Sequence, residues 1–486
     1  MTDTDRVGNI LASRRASIRS AALFIAAASL PLGGCTSLLG EKPAEPGVAI
    51  PETWSMPVAP VTVDLAEYWT LLDDPLVTEF VAAAILNNRD LAAAAARVRI
   101  ARAGVKASRA SYFPQIGASA GVQRDVGDFA SDDYTFSVGA DARWEADLFG
   151  SIGFDVASSK ADLLAAGYSL ADLQRLIVGQ VAQTTISARA LALQLAIARE
   201  TLAIQDENLQ IARWRLEAGL VSSLDVEQAR TQRAQTAASI PALERDLASA
   251  ANTISTLIGE APGPVLTRFE GSETIPVPPE LLGYPMPAEV LRNRPDVRQA
   301  EAILISDTAR IGLARAQLFP MLSLTGNIGT SATSAGDLFD IITGGLFAGI
   351  SQLIFDGGRT AAQIEASRAQ AAASLAGWEQ AILLALEDVE SANASLRAAR
   401  QRVGLFAEAL DAASNAALLA RSQYQAGLID FETLLLAENQ LLSARNALAA
   451  SEAERANAFV RLTQALGGGW TDGDNDIPEN PERTGP

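Results

Sequence analysis

Histidine is absent from this sequence of 486 residues, cysteine occurs once, and aromatic residues make up only 6%. Without imidazole there is no Ser-His-Asp or Cys-His arrangement and no metal site that leans on histidine, so any chemistry would rest on carboxylate, lysine or backbone groups. Such a chain reads as a non-enzyme with no metal and no cofactor beyond covalent modification. Positive charge is scarce too: 38 lysine and arginine residues face 57 acidic ones, a formal charge of −19, which excludes a nucleic-acid binder by charge. What is abundant is apolar residue, 49% of the chain, enough for two or more domains with substantial cores.

The single cysteine stands at the end of a leader. Arg14, Arg15 and Arg19 precede an apolar run from Ala21 to Leu32, too short for a stable membrane anchor and the right length for a secretory signal. It ends in "LGGC". Small residues ahead of a cysteine resemble a bacterial lipobox, which implies cleavage after residue 34 and lipid on Cys35; a buried free thiol is the alternative. Residues 1–34 are then a signal peptide, with ordinary Sec export favoured over the twin-arginine route that "SRRASIR" weakly matches. By the same resemblance, Thr36 in place of aspartate after the cysteine implies sorting to the outer membrane. Residues 35–63, polar and proline-rich, read as a lipidated tether rather than a core element.

The rest is a duplication. An offset of 208 pairs Gly219 with Gly427, Leu220 with Leu428, Ala229 with Ala437 and Gly259 with Gly467, with no gap. Nearer the front of each copy an offset of 206 pairs Asp90 with Asp296 and Pro114 with Pro320. A unit of about 200 residues is too long for a solenoid repeat and suits two tandem, pseudo-equivalent domains. These are placed at 64–267 and 288–470, with a linker at 268–287 and a polar tail at 471–486.

Each copy opens on a helical stretch, Asp73 to Ser111 and Ala288 to Gln317, halted by Phe-Pro. Strand patterns follow. From Tyr134 to Leu148 every even position is apolar or alanine, including Phe136, Val138 and Trp144, while the odd positions include Ser137, Asp141, Arg143 and Glu145. Alternation held that long is far beyond the 5–6 residues of an ordinary strand and can cross a bilayer at a tilt. "QIGASAGVQ" and "MLSLTGNIG" alternate more weakly, and a fourth run near Phe347 to Phe355 is the least regular. Apolar-out, polar-in strands are the mark of a transmembrane barrel, and an ordinary long soluble hairpin is the competing reading. Four strands cannot close a barrel with a pore, so the chain must oligomerise or leave edges open to lipid, which the membrane does not allow.

After each strand pair comes a heptad stripe. In the second copy it runs Leu375, Ile382, Val389, Leu396, Val403 and Leu410 to Tyr424, and the first copy keeps the register through Val181, Leu195 and Leu209. A helix from about residue 359 to 425 is roughly 100 Å long. The two Ala-Gly-Leu triplets, 218–220 and 426–428, then mark hairpin tips, where Gly219 and Gly427 take the positive φ of a helix C-cap.

The segments "NRPDVRQAEAIL" (293–304), "ARAQLFPMLSLTG" (314–326), "RWEADLFG" (143–150), "FDGGR" (355–359) and the two "AGL" tips together resemble the TolC-like outer membrane factors. The likeness is to their NodT-type lipoprotein branch, which serves resistance-nodulation-division (RND) efflux systems. It covers nearly all of Asp64 to Trp470. It implies an α+β membrane protein: a homotrimer whose four strands per chain share a twelve-stranded β-barrel in outer-membrane lipid, above a long periplasmic coiled-coil α-barrel. It also implies that the tips, Gly219, Leu220, Gly427 and Leu428, meet a periplasmic membrane-fusion adaptor coupled to an inner-membrane RND transporter, so that the duct exports small molecules. The family's gate transfers only in part. Many relatives carry aspartate at the position of Leu436, whereas Asp225 and Tyr424 match positions that hydrogen-bond across the closed tip in relatives; Glu227, Asp430, Glu432 and Glu438 are further acidic candidates, each alternatively a solvated helix-end charge. An outer channel for type I protein secretion would share the fold and tips, and a lipid-anchored periplasmic stalk would share the heptads.

Overall fold

The computed structural model describes residues 40–55, 65–124, 126, 128, 134–271, 273–279, 283 and 285–471. Cys35, the leader and most of the tail lie outside them. The described chain divides into two compact units, one holding residues 40–46, 99–165 and 300–378, the other 47–55, 65–98, 166–299 and 379–471.

The duplication is visible in the elements. In the first copy, α1 (Pro75–Asn87) and α2 (Arg89–Ala110) lead to β1 (Gln115–Arg124), β2 (Tyr134–Ala146), α3 (Ser151–Glu217) and α4 (Ser223–Leu257). A four-residue helix, α5 (Pro264–Thr267), follows. The second copy repeats the order as α6 (Pro287–Asn293), α7 (Pro295–Ala316), β3 (Met321–Ala332), β4 (Ile342–Ser351), α8 (Arg359–Gln425) and α9 (Phe431–Ala465). Lengths match: α2 and α7 have 22 residues each, α3 and α8 have 67, α4 and α9 have 35.

Two sequence expectations need correction, and a third gains detail. The helical stretch that opens each copy is divided into two helices at Asn88 and Arg294, both in extended conformation. Arg294 precedes Pro295, which disfavours helical geometry at the preceding residue; Asn88 instead caps α2, its side chain accepting from the Asp90 and Leu91 amides. The fourth strand runs 342–351, not 347–355. Finally, the stretch read as tether contains a core residue, since Trp54 is buried and its indole donates to the Pro285 carbonyl at 2.9 Å. Backbone amides of Gly47 and Ser55 donate to Glu379 and Glu390 of α8, so this segment is strapped to that helix.

The core of the second unit gathers α1, the middle of α3, the ends of α4 and α9, and the middle of α8, around Tyr68, Val77, Val181, Ile254, Val389 and Phe459. Heptad positions Ile382, Val389 and Leu396 are all buried, the last two in this core, as the stripe requires.

Candidate functional site

Two features stand out, the sheet and the hairpin tips. The four strands form one antiparallel sheet in the order β1-β2-β3-β4. Its register aligns like with like. Val122, Phe136 and Ala332 share a row, as do Ala118, Ala140, Ile328 and Gly344, and as do Trp144, Leu324 and Ala348. Between them lie rows such as Gly117, Asp141, Asn327 and Gly345, or Arg143, Thr325 and Phe347. Phe347, in mid-sheet, and Met321, at the start of β3, are the large apolar side chains on the polar face. Residues two apart along a strand share a face, so the sheet has one nearly continuous apolar face and one polar face. The apolar face is exposed: Ile116, Leu346 and Ile350 each keep about three quarters or more of their surface. Strands of 10 to 13 residues also have the length a tilted transmembrane strand needs, about 9–11 residues.

The two tips are built alike. Helix α3 ends in a Schellman motif: Leu220 N donates to Arg215 O at 2.8 Å and Gly219 N to Leu216 O at 2.9 Å. Helix α8 ends the same way, Leu428 N to Gln423 O at 2.9 Å and Gly427 N to Tyr424 O at 3.0 Å. Gly219 and Gly427 have φ of +72° and +73°, where any Cβ is strained. Leu220 and Leu428 project into solvent, 73% and 74% exposed. An acid then takes part in the cap of each following helix. Ser222 and Asp225 form a reciprocal capping box on α4, and Asp430 caps α9 through Thr433 N at 2.8 Å. Hydrogen bonds from the Thr433 side chain and then its amide hold the Asp430 carboxyl below the usual range.

Behind the tips the two hairpins meet in a small cluster of Leu209, Ala212, Ala229, Tyr424, Phe431 and Leu434 among others. Tyr424 is buried, its ring 5.4 Å from Phe431, and its hydroxyl has no hydrogen-bond partner among the described residues, so Asp225 and Tyr424 are not joined there. Glu438 is buried and bridges the hairpins, accepting from Asn208 and Arg421. Glu227 pairs with Arg230 on its own helix, Glu432 is exposed, and Leu436 is 59% exposed.

A second junction went unforeseen. At the matched positions 88 and 294, the side chain reaches the last carbonyls of the returning helix: Asn88 Nδ2 donates to Leu257 O at 2.8 Å, and Arg294 Nη1 to Ala465 O at 3.1 Å. Arg294 is 1% exposed and also makes a bidentate pair with Asp296, at 3.0 and 2.6 Å, and a 2.9 Å bond to Asp388. Burial by itself would raise the Asp296 carboxyl, but its hydrogen bonds and ion pair with Arg294 outweigh that and hold it below the usual carboxylate range.

The outer membrane efflux protein model matches residues 81–260 and 286–468, once per copy and over well more than half the chain. The chain belongs to the outer membrane efflux protein family. It is similar to the pyoverdine export outer membrane protein OpmQ of Pseudomonas aeruginosa, 31% identical over 462 residues that cover 92% of this chain and 97% of the relative. It is likewise similar to nodulation protein T of Rhizobium leguminosarum bv. viciae, 30% identical across 92% of this chain and 93% of that one. Among solved structures, the outer-membrane channel OprN superposes with a TM-score of 0.78 at 32% identity, covering 88% of this chain and all of that one. CusC superposes at 0.77 and 26% identity, covering 89% of this chain. This efflux protein is an outer-membrane channel with a helical extension into the periplasm.

Proposed function

We propose that three copies of this chain assemble into the exit duct of a tripartite RND-type efflux pump, passing small molecules to the exterior. The observation that carries the reading is the sheet register: one exposed apolar face, one polar face and two unpaired edges, β1 and β4, in a single chain. Edges facing hydrocarbon leave backbone groups unsatisfied, and pairing β4 of one copy with β1 of the next removes them. Three copies give twelve strands around a polar lumen. The relatives named for pyoverdine export and for cation efflux support a small cargo, and the duct itself need not choose it.

In this reading the tips, Gly219, Leu220, Gly427 and Leu428, receive the periplasmic adaptor that links the duct to an inner-membrane transporter. An exposed leucine beside a positive-φ glycine has no local core to justify it. Changing both Leu220 and Leu428 to serine is expected to abolish drug resistance conferred by the assembled pump while leaving the yield of oligomer unchanged. Resistance at the wild-type level would remove the tips from docking.

Cys35 carries the lipid in the same reading, with residues 1–34 removed and residues 35–63 leading into the first repeat. Radiolabelled palmitate should mark the wild-type protein and not Cys35→Ala. The variant should keep much of its membrane association, because a barrel holds a protein in the bilayer far more firmly than acyl chains do. Equal labelling of both proteins would end the assignment.

A further inference from the structure

We propose that Arg215 is the latch that holds the two hairpins of one protomer together at the tip, and that it keeps the resting channel narrow. This is a positioning role and rests on the reading of the tips as the closing end of the duct. The Arg215 guanidinium lies over the Tyr424 ring, 4.4 Å from its centroid. Its terminal nitrogens face the carbonyls of Tyr424, at 3.4 and 3.5 Å, and Gln425, at 3.5 Å. Arg215 belongs to the last turn of α3, whereas both carbonyls belong to the last turn of α8, so this one side chain ties the ends of the two long helices.

The chemistry of the contact is specific. The last carbonyls of a helix carry the negative end of its dipole and lack intrahelical donors. The Schellman turn satisfies Gln423 O and Tyr424 O from Leu428 and Gly427, which leaves Gln425 O to Arg215. Among the described residues no carboxylate lies within ion-pair distance of Arg215; its charge meets a π face and a helix end instead. Tyr424 in turn is fixed from behind by Phe431, so the ring is a rigid seat. The hydrogen bonds are long, and the ring contact is the stronger part of the latch.

This placement separates Arg215 from the acidic candidates around it. Asp225 is engaged in its capping box with Ser222 and Asp430 in its cap on Thr433. Neither is available to hold the hairpins together without unravelling a helix start.

The test is closed-state conductance of the purified full-length channel in planar bilayers. Arg215→Gln, which keeps a polar, hydrogen-bonding side chain but is shorter and loses the charge and the planar fork, is expected to raise that conductance at least about fivefold, the scale of one lost cation–π contact per protomer. Arg215→Lys keeps a charge near the helix end but not the stacked guanidinium, and should fall between Gln and wild type. Arg213→Ala, two residues away and exposed, should match wild type. Oligomer yield and thermal stability should be the same for all four proteins, which a merely structural role would not give. Unchanged conductance in Arg215→Gln, or equal increases in Gln and Lys, would overturn the latch while leaving the channel reading intact. Failure of the wild-type protein to conduct at all would overturn the reading beneath it.

Discussion

Arginine in place of Ile328 is expected to prevent the chain from reaching a folded outer-membrane state, while arginine at its neighbour Asn327 is tolerated. The two positions are adjacent on β3 but point to opposite faces. Ile328 is paired with Ala140 and Gly344 in an apolar row, and Asn327 with Asp141 and Gly345 in a polar one. A lipid-facing arginine near the middle of a barrel strand costs about 2–4 kcal/mol, tens to hundreds of fold in the insertion equilibrium of each copy. The Asn327 variant places its charge beside Asp141 on the polar side, where it meets an opposite charge across the strand pair. Heat-modifiable migration in gels of outer-membrane fractions reads the outcome directly. Equal amounts of folded protein from both variants would mean that the apolar face does not meet lipid.

The second large effect is expected at Arg294. Truncation to alanine leaves Asp296 without its bidentate partner and removes the cap from Ala465 O in one step. Breaking a buried charge pair costs about 3–5 kcal/mol, and the half-exposed Asp388 and partly exposed Asp296 place this case toward the lower end. Arg294→Lys should recover little, because an ammonium group cannot span Asp296, Asp388 and two helix carbonyls at once. Asn88→Ala, at the matched position of the first copy, loses one neutral hydrogen bond and an N-cap and should cost about 1–2 kcal/mol. Thermal unfolding in detergent should rank the variants in that order; an Arg294→Ala midpoint equal to that of Asn88→Ala would show that the charge network contributes nothing beyond the cap. The network also sets an acid limit. The Asp296 carboxyl is held lower in the folded chain than in the unfolded one, so its stabilisation is complete above the ordinary aspartate value of about 3.9 and is lost as pH falls through the folded value. Wild type should therefore lose stability below about pH 4 along a limb that Arg294→Ala lacks.

The strands show what a sequence makes legible. In β2 the alternation is written in large side chains, Phe136, Val138 and Trp144 against Asp141, Arg143 and Glu145, and the expected start at Tyr134 is where the strand begins. In β4 the same alternation is hidden because Gly344, Gly345 and Gly349 leave no side chain to read, and Phe347 stands on the polar face. The register with β3 supplies what those residues omit. The tips were legible for a different reason: a positive-φ glycine repeated at a fixed offset has few local explanations. The Arg294 junction was not, because its carbonyl partners, Ala385 O and Ala465 O, lie 91 and 171 residues away and its counterpart in the first copy is an asparagine, so the repeat itself disguises the role. Arg215 escaped notice in the same way. Its partner is an aromatic face and a pair of carbonyls, and neither is a charge that sequence could pair with it.

Strand parity gives the sheet a further property. Every neighbouring pair in the order β1-β2-β3-β4 is antiparallel, and the count is even, so β1 and β4 run in opposite directions. A rotated copy of the chain presents its β1 to this chain's β4 with the correct polarity, and the up-down alternation passes through every seam unbroken, whatever the number of copies in the ring. A subunit contributing three strands, or five, would force one parallel seam per copy. Two hairpins from two repeats are the smallest duplication that lets a chain close on its own likeness while each seam remains an ordinary antiparallel pair.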